Sequence, residues 1–386
     1  MKTGRGGLSV VQVNFACDKS LADPDELLQR YDTLTGWSGA LAAAGATRVA
    51  VVQRFHRDAQ IRFGEVDYFF RRSRLGAAVA ACQPDVAHVN GLEFAGRTWL
   101  LRRALEPSTA IVVQNHGDGG PVGRSASLRL VARAARRAAD AFLFAAPEHA
   151  DAWRHAGVIA ADQPVHCVME ASTTMQPFDQ AQGTPSTRTA AREASGVSGS
   201  PAMLWVGRLN ANKDPLTVLD AVERCAADLP DATLTMIYGT DELLAPVRER
   251  VERSAALRDR VRLLGAVPHD RMAAFFTAAD IFVLGSHHEG SGYSLMEACA
   301  CGAIPVVTDI PTFRVLTARG AVGALWTAGD AESCARALVD AARRDPDVAR
   351  AKLADHVARE LTWDAVGRRA LAIYEQVIAA RRAAVG

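Results

Sequence analysis

The chain has 386 residues, 23% of them charged, and a formal net charge of +1. That length exceeds what one hydrophobic core usually serves, so two domains are expected. The near-neutral charge argues against nucleic acid as a main partner, because the chain has no global basic field. Seven cysteines, with no paired spacing apart from Cys299 and Cys301, fit reduced thiols and predict a cytoplasmic protein.

In the first part of the chain, strand-like apolar runs alternate with helical patterns. Alternation of this kind predicts a parallel α/β sheet. The predicted strands are Leu8 to Asn14, Arg48 to Gln53, Asp85 to Val89, Ala110 to Gln114, Ala141 to Phe144 and Val165 to Met169. We therefore predict an N-terminal Rossmann-like domain over residues 1–175.

Residues 176–200 are rich in Gly, Ser, Thr, Gln and Pro and lack periodicity, which predicts a linker and hinge. The alternation then resumes, predicting a second Rossmann-like domain over residues 201–362. Residues 363–386 form an amphipathic helix that is expected to pack back towards the N-terminal domain. The predicted strands of the second domain are Ala202 to Val206, Thr233 to Tyr238, Val261 to Leu263, Asp280 to Leu284 and Ile304 to Val307.

A strand, a glycine-rich turn and a helix follow one another between Asp280 and Cys301. Such a junction directs free backbone N–H groups and the positive end of the helix dipole towards one point, where a phosphate or diphosphate can bind. Gly290 and Gly292 let a ligand approach the backbone closely. The segment therefore predicts an anion site.

Two other interpretations of this segment stay open. Ser294 and Glu297 have the spacing of a capping box, in which the glutamate serves the start of the helix. His287, His288 and Glu289 suggest a metal, but adjacent residues on an extended loop point in different directions and no third ligand has a recognisable spacing. We therefore expect no metal.

Two cations follow the strand that starts at Ala202, namely Arg208 and Lys213. The carboxyl end of a strand is where ligands bind in open α/β sheets. Two cations beside a helix start need an anion to offset their repulsion, and a diphosphate would supply it. The alternative is that both are solvated loop charges.

Three blocks of sequence resemble the retaining GT-B glycosyltransferases of family 4, the glycosyl transferases group 1. They are VGRLNANKD from Val206, LLGAVPHDRM from Leu263 and EGSGYSLMEACACGAIPVV from Glu289. The resemblance is strong over roughly Ala202 to Leu316. It implies the GT-B fold, in which two doubly wound parallel-sheet domains face a cleft. Residues 1–175 would then form the acceptor domain and residues 201–362 the domain that binds the nucleotide-sugar donor.

The resemblance also implies roles for individual residues. Arg208 and Lys213 would hold a nucleotide diphosphate and stabilise it as the leaving group. Glu297 would bind the ribose and Glu289 the donor sugar, while His116 would reach the sugar when the domains close about the hinge. The remaining positions implied to bind substrate, mainly through backbone, are Gly207, Gly265, Val267, Gly290, Ser291, Gly292, Tyr293, Ser294 and Leu295.

The implied reaction moves a sugar from a nucleotide sugar to a glycan, a lipid-linked acceptor or a small molecule. It retains the anomeric configuration by front-face displacement and needs neither a metal nor a cofactor. The chain departs from the family after the first strand, where CDKSLADPDE replaces a Gly-Gly loop. It departs again at VMEASTTMQPF, where many relatives have an asparagine-glycine turn, so Glu170 and Ser172 are expected to face the cleft with a different role. Acceptor binding is therefore expected to be unusual.

Competing classes fit less well. A nicotinamide dehydrogenase needs G-x-G-x-x-G after a strand, and no glycine cluster here meets that pattern. The D-x-D letters at Asp23 and Asp345 surround prolines at predicted helix starts, where aspartate caps the helix. A non-catalytic protein that binds nucleotide sugars is the remaining alternative.

Peripheral membrane contact is a further hypothesis. The segment from Arg124 to Phe142 has one apolar and one basic face, and YFFRRSR begins at Tyr68. These segments would meet anionic headgroups if the acceptor were lipid-linked. The usual explanation of the first segment is an ordinary packed helix with a solvated basic face.

Overall fold

A computed structural model describes residues 7–117, 126–172 and 187–386. The chain divides into two compact units. Unit 1 consists of Met1–Thr173 and Thr362–Gly386, and unit 2 consists of Thr174–Leu361. Each unit contains one mainly parallel sheet, and most of its strands are buried and rich in β-branched residues, as expected for sheets covered by helices.

Unit 1 has an eight-stranded sheet in the order β3-β4-β2-β1-β5-β6-β7-β8. All neighbours are parallel except β3, which pairs with β4 antiparallel. The strands are β1 (Ser9–Asn14), β2 (Arg48–Arg54), β3 (Ala59–Phe63), β4 (Val66–Arg71), β5 (Val86–Asn90), β6 (Ala110–Asn115), β7 (Ala141–Phe144) and β8 (Val165–Cys167).

Helices cover both faces of this sheet, because alternate strand residues enter different cores. Val49 and Val51 belong to one buried cluster, and Ala50 and Val52 belong to the other. The helices are α1 (Pro24–Arg30), α2 (Asp32–Ala43), α3 (Leu75–Ala81), α4 (Ala95–Ala104), α5 (Ala126–Ala135), α6 (His149–His155) and α16 (Trp363–Val385).

The C-terminal helix α16 packs closely on α2 within unit 1. A Cβ on Gly367 would lie 2.3 Å from the backbone oxygen of Ala40, so only glycine fits at this crossing. On the same helix, the hydroxyl of Tyr374 lies 2.6 Å from Nδ1 of the buried His88 and accepts a 3.3 Å hydrogen bond from Nε1 of Trp37. The last helix therefore completes the core of the unit in which the chain begins.

Unit 2 has a six-stranded, wholly parallel sheet in the order β11-β10-β9-β12-β13-β14. The strands are β9 (Ala202–Gly207), β10 (Thr233–Tyr238), β11 (Val261–Gly265), β12 (Ile281–Leu284), β13 (Ile304–Thr308) and β14 (Ala324–Trp326). The helices are α7 (Arg188–Ser195), α8 (Pro215–Arg224), α9 (Leu244–Arg253), α10 (Ala255–Arg258), α11 (Met272–Ala278), α12 (Tyr293–Ala300), α13 (Pro311–Leu316), α14 (Ala331–Ala342) and α15 (Pro346–His356).

The later part of the predicted linker is helical and belongs to unit 2. Thr187 caps α7, and Arg192 on that helix forms a 2.7 Å ion pair with Asp280, which Arg188 and Arg350 also approach. Residues 176–186 lie outside the described residues. The prediction of a linker up to residue 200 was wrong, because a short capped helix with basic side chains docks on one aspartate.

Other helix starts follow the sequence closely. Asp23 and Asp345 cap α1 and α15, each followed by proline, so the two D-x-D matches are caps. None of the helices in the described ranges combines the length and the apolar character needed to cross a bilayer.

Candidate functional site

The predicted anion site of unit 2 lies where β12 leads through a loop into α12. Gly292 is the N-cap of α12, with a φ of 70°, and a Cβ at this position would lie 2.9 Å from Cδ1 of Leu316. The helix has no side-chain cap. The capping-box interpretation was therefore wrong, because Ser294 already lies inside the helix, and Glu297 instead places Oε1 3.3 Å from Nε2 of His269.

Lys213 and Glu289 form an ion pair at this junction, with Nζ of the lysine against Oε1 of the glutamate. Each side chain is 12% exposed. The hydroxyl of Ser286 donates to the same Oε1 over 2.8 Å, and the hydroxyl of Thr312 donates to the backbone oxygen of Glu289 over 2.6 Å. Two residues that are distant in sequence are thus held side by side and largely shielded from water.

Hydrogen bonds of Asn212 join the two loops that carry Lys213 and Glu289. Asn212 donates from Nδ2 to the backbone oxygen of His288 and accepts from its N–H, each over 3.0 Å. Nε2 of His287 lies 3.1 Å from Oδ2 of Asp214, so His287 and Glu289 have different partners. In the described part of the chain, no three or more His, Cys, Asp and Glu residues form a group that could hold a metal ion.

The other positions predicted to bind the donor lie at the carboxyl ends of strands in unit 2. Gly207 ends β9 beside Lys213, since a Cβ there would lie 3.4 Å from Cγ of the lysine. The next residue, Arg208, is exposed, and its side chain has no hydrogen-bond or ion-pair partner among the described residues. Gly265 ends β11 with a φ of 76°, and the half-buried Val267 follows it.

Unit 1 contains a cavity of about 380 Å³ at the carboxyl ends of its central strands. Ligands bind at this end of open parallel sheets. The described residues that line it are Gln12, Asn14, Ala16, Cys17, Asp18, Leu27, Tyr31, Thr33, Leu34, Trp37, Gln53, Asn90, Gln114, His116 and Glu170.

His116 lies between two acceptors in this cavity. Its Nδ1 lies 2.7 Å from Oε1 of Glu170, and its Nε2 lies 3.2 Å from Oδ1 of Asn90. Burial alone lowers the pKa of His116, but the charge and hydrogen bond of Glu170, together with the charge of Glu93, outweigh it and raise the pKa above 6.5. Because both ring nitrogens face oxygen acceptors, the geometry favours the doubly protonated imidazolium.

Sequence reasoning missed several residues of this cavity. Gln12 is 3% exposed, and its Oε1 has no hydrogen-bond partner among the described residues. Trp37 and Tyr31 contribute from α2 and from the residue before it. A signal for Gln12 was available, because a glutamine interrupts an otherwise apolar strand, but nothing in the sequence predicted that α1 and α2 would wall a cavity.

The segments proposed to meet a membrane fold differently from the prediction. Phe142 is buried in β7 and not part of a helix, and Tyr68 is buried in β4. Arg137 forms a 2.8 Å ion pair with Asp162. Leu130 and Val131 on α5 are 68% and 48% exposed. The predicted apolar stripe from residue 124 to 142 was wrong in its second half, since the helix ends at residue 135 and a strand follows.

Comparison with known proteins agrees with this description of unit 2. Residues 187–354 match the family model of the glycosyl transferases group 1. This region is similar to that family. It contains all the predicted donor-binding residues, from Gly207 to Glu297, whereas His116 lies outside it.

Two curated relatives match less than half of the chain. A D-inositol 3-phosphate glycosyltransferase of Geodermatophilus obscurus is 32% identical over 163 residues, which is 40% of this chain and 36% of that protein. A GDP-mannose:cellobiosyl-diphosphopolyprenol alpha-mannosyltransferase of Xanthomonas campestris is 28% identical over 169 residues, 43% of this chain and 44% of that protein. The chain thus spans less than half the length of these relatives.

Among solved structures, a sucrose-phosphate synthase from Thermosynechococcus elongatus matches with a TM-score of 0.64 and 19% identity, over 96% of this chain and 100% of that chain. At this identity the match shows the fold alone. The predicted GT-B class, with two Rossmann-like parallel-sheet domains, is confirmed.

Proposed function

We propose that the protein is a retaining glycosyltransferase that uses a nucleotide-diphosphate sugar as donor and requires neither a metal nor a cofactor. The observation that carries the proposal is the part-buried ion pair of Lys213 with Glu289 in the loops before α12, within the region that matches the glycosyl transferases group 1. Ligand-binding cations and carboxylates held this close, at the carboxyl end of a parallel sheet, suit a ligand that carries both phosphates and hydroxyls.

In this proposal the diphosphate binds to cations and backbone donors of unit 2. Arg208 is exposed and uncommitted among the described residues, and Lys213 lies beside the end of the same strand. The N-cap of α12 is Gly292, which has no side chain to cap the helix and leaves room for a ligand at the helix start. Together the cations and the backbone donors stabilise the charge that develops on the leaving nucleotide, the role that a metal ion has in other transferases.

The two glutamates bind the two sugars of the donor. Glu289 is hydrogen-bonded by Lys213 and Ser286, which orient it as an acceptor for hydroxyls of the transferred sugar. Glu297 is held near His269 on the first turns of α12 and accepts hydrogen bonds from the ribose. When a diphosphate binds, Lys213 is shared between it and Glu289, so donor binding and sugar orientation are linked.

The cavity of unit 1 is proposed to bind the acceptor. The named substrates of relatives differ widely, from D-inositol 3-phosphate to a diphosphopolyprenol-linked glycan. Family membership therefore leaves the acceptor open among glycans, lipid-linked molecules and small polyols. His116 lines this cavity on the acceptor side.

Calorimetry with UDP, GDP, ADP, CMP and their sugar conjugates, in the presence of EDTA, tests the donor site. We expect one diphosphate series to bind, and Lys213→Ala and Glu297→Ala each to weaken it about 10- to 100-fold, the cost of a hydrogen bond to a charged group. Lys352→Ala is the matched control, because Lys352 is exposed on α15 of the same unit. Absence of binding by every series would contradict the proposal.

Turnover separates the proposal from its alternative, a non-catalytic protein that binds nucleotide sugars. With the matching donor and a panel of acceptors, we expect release of the nucleoside diphosphate and a product with the donor's anomeric configuration, read by NMR. Tight binding of the donor with neither transfer nor slow donor hydrolysis would favour the alternative. An inverted product would refute retention.

A further inference from the structure

The charges around the unit 1 cavity do not balance. Asp18 and Glu170 line it, whereas no lysine or arginine is among the described lining residues. Glu170 has His116 as its partner at 2.7 Å. Asp18 accepts hydrogen bonds from Ser20 and, over 2.8 Å, from the hydroxyl of Tyr31, but has no cationic partner within hydrogen-bond distance. The described lining residues therefore carry a net negative charge even when His116 is protonated.

Hydrogen bonds keep Asp18 ionised. The contacts from Ser20, and then the one from Tyr31, lower the pKa of Asp18 to about 2. A carboxylate that remains charged at the edge of a cavity repels an anion and attracts a cation. This arrangement is unsuited to a phosphate group.

The rest of the lining suits a polyhydroxylated ring. Four amide side chains belong to it, those of Gln12, Asn14, Asn90 and Gln114. An amide donates and accepts at once, which matches adjacent hydroxyls. The buried Oε1 of Gln12 has no partner in the described part of the chain, so a ligand hydroxyl would satisfy it. Trp37, Tyr31 and Leu34 supply an apolar wall for the face of a ring.

From this juxtaposition we propose that the acceptor is a small polyol that carries a protonated amine, an amino sugar or an aminocyclitol, and that Asp18 binds its ammonium group. The inference rests on the proposed transferase function, because it names the acceptor class for that reaction. The ring lies against Trp37, and its hydroxyls bind the amides. Acceptors that place a phosphate in this cavity are disfavoured, since nothing in the described lining offsets that charge.

Two matched sets of compounds test the proposal by calorimetry in the absence of nucleotide. One set is myo-inositol, an inositol with one hydroxyl replaced by an amine, and inositol 1-phosphate. The other is glucose, glucosamine and glucose 6-phosphate. At pH 7 we expect the amine of at least one set to bind about tenfold more tightly than its neutral parent, the gain of one charged hydrogen bond, and the phosphate to bind most weakly. Equal binding of amine and parent, a preference for the phosphate, or no binding by either set would overturn the proposal.

Variants assign the preference to one carboxylate. Asp18→Asn should remove the preference for the amine while leaving the neutral polyol within about twofold of wild type. Asp162→Asn, which changes an exposed carboxylate elsewhere in unit 1, should leave the preference intact. An Asp18→Asn protein that still prefers the amine would refute the role of Asp18. Donor titration of the same preparations reports on unit 2, so failure of the acceptor class and failure of the transferase function give different results.

Discussion

Replacing Gly367 by alanine tests whether the crossing of α16 and α2 stabilises unit 1. Alanine is the better helix former, and at an exposed position this change stabilises a helix by about 1 kcal/mol. At Gly367, however, the new Cβ would lie 2.3 Å from the backbone oxygen of Ala40 and 2.7 Å from its carbonyl carbon. A backbone atom inside a helix cannot rotate away, so the two helices must separate.

The magnitude follows from the overlap. Overpacking usually costs about 1 to 3 kcal/mol, and a contact with backbone belongs at the upper end of that range. After subtraction of the gain in helix propensity, the net loss is about 2 kcal/mol. For a unit of roughly 200 residues, this corresponds to a decrease in melting temperature of about 4 to 8 °C.

Scanning calorimetry measures this effect, with Gly39→Ala as the matched control. Gly39 lies on α2, and a Cβ there would meet nothing within 4 Å, so this variant should be as stable as wild type or more so. If Gly367→Ala melts with wild type, or if both variants lose stability equally, the reasoning about the crossing is wrong.

Three further outcomes are expected. Lys213→Met should reduce the free energy of unfolding, measured in urea, by about 2 to 3 kcal/mol, because the carboxylate of Glu289 stays shielded from water but loses its cation. The double variant with Glu289→Gln should recover more than half of that loss. If the losses of the two single variants simply add, the pairing is wrong. The pKa of His116, measured by NMR, should lie above 6.5 in wild type and should fall in Glu170→Gln, which removes the carboxylate charge that raises it. Because the pKa is raised in the folded state, the stability that His116 contributes is present at low pH and is lost as the pH rises through the folded value. An unchanged pKa in the variant would refute the pairing. Gly292→Ala should lower the free energy of unfolding of unit 2 by about 1 to 2 kcal/mol, because the φ of 70° and the nearby Leu316 side chain disfavour a Cβ. An unchanged melting temperature in calorimetry would contradict the described turn.

Much of the fold was predictable from local pattern. Each predicted strand is present, with ends that differ by a residue or two, because buried parallel strands are short runs of apolar, often β-branched residues between polar turns. The hairpin of β3 and β4 was missed, because β3 is a largely exposed strand with polar residues and no apolar run. The three-residue strand β14 is too short to give a pattern.

The two halves of the proposed site differed in how far sequence could predict them. In unit 2, Lys213 follows β9 and Glu289 follows β12, each within an uninterrupted sequence motif. Because β9 and β12 are neighbours in the sheet, the strand order alone brings the two residues together. In unit 1, the cavity is assembled from one or two residues of each of four strands, from two helices and from the loops after the strands. Asp18 and Trp37 line the cavity only because tertiary packing places them there, and no local sequence pattern predicts that packing.

The discontinuity of unit 1 has a consequence for biosynthesis. Its sheet is encoded early in the chain, yet α16, which covers that sheet and holds Trp37 through Tyr374, is encoded after all of unit 2. Domains that are contiguous in sequence fold as they leave the ribosome. Here the residues of unit 2 are all translated before unit 1 is complete. The apolar face of unit 1 that receives α16 stays uncovered while some 190 further residues are translated, which takes about 10 to 40 s at ordinary elongation rates. During that interval the nascent unit 1 exposes an apolar surface. Chaperone binding to ribosome-bound chains should therefore be strongest in that interval and should end when α16 emerges from the ribosome.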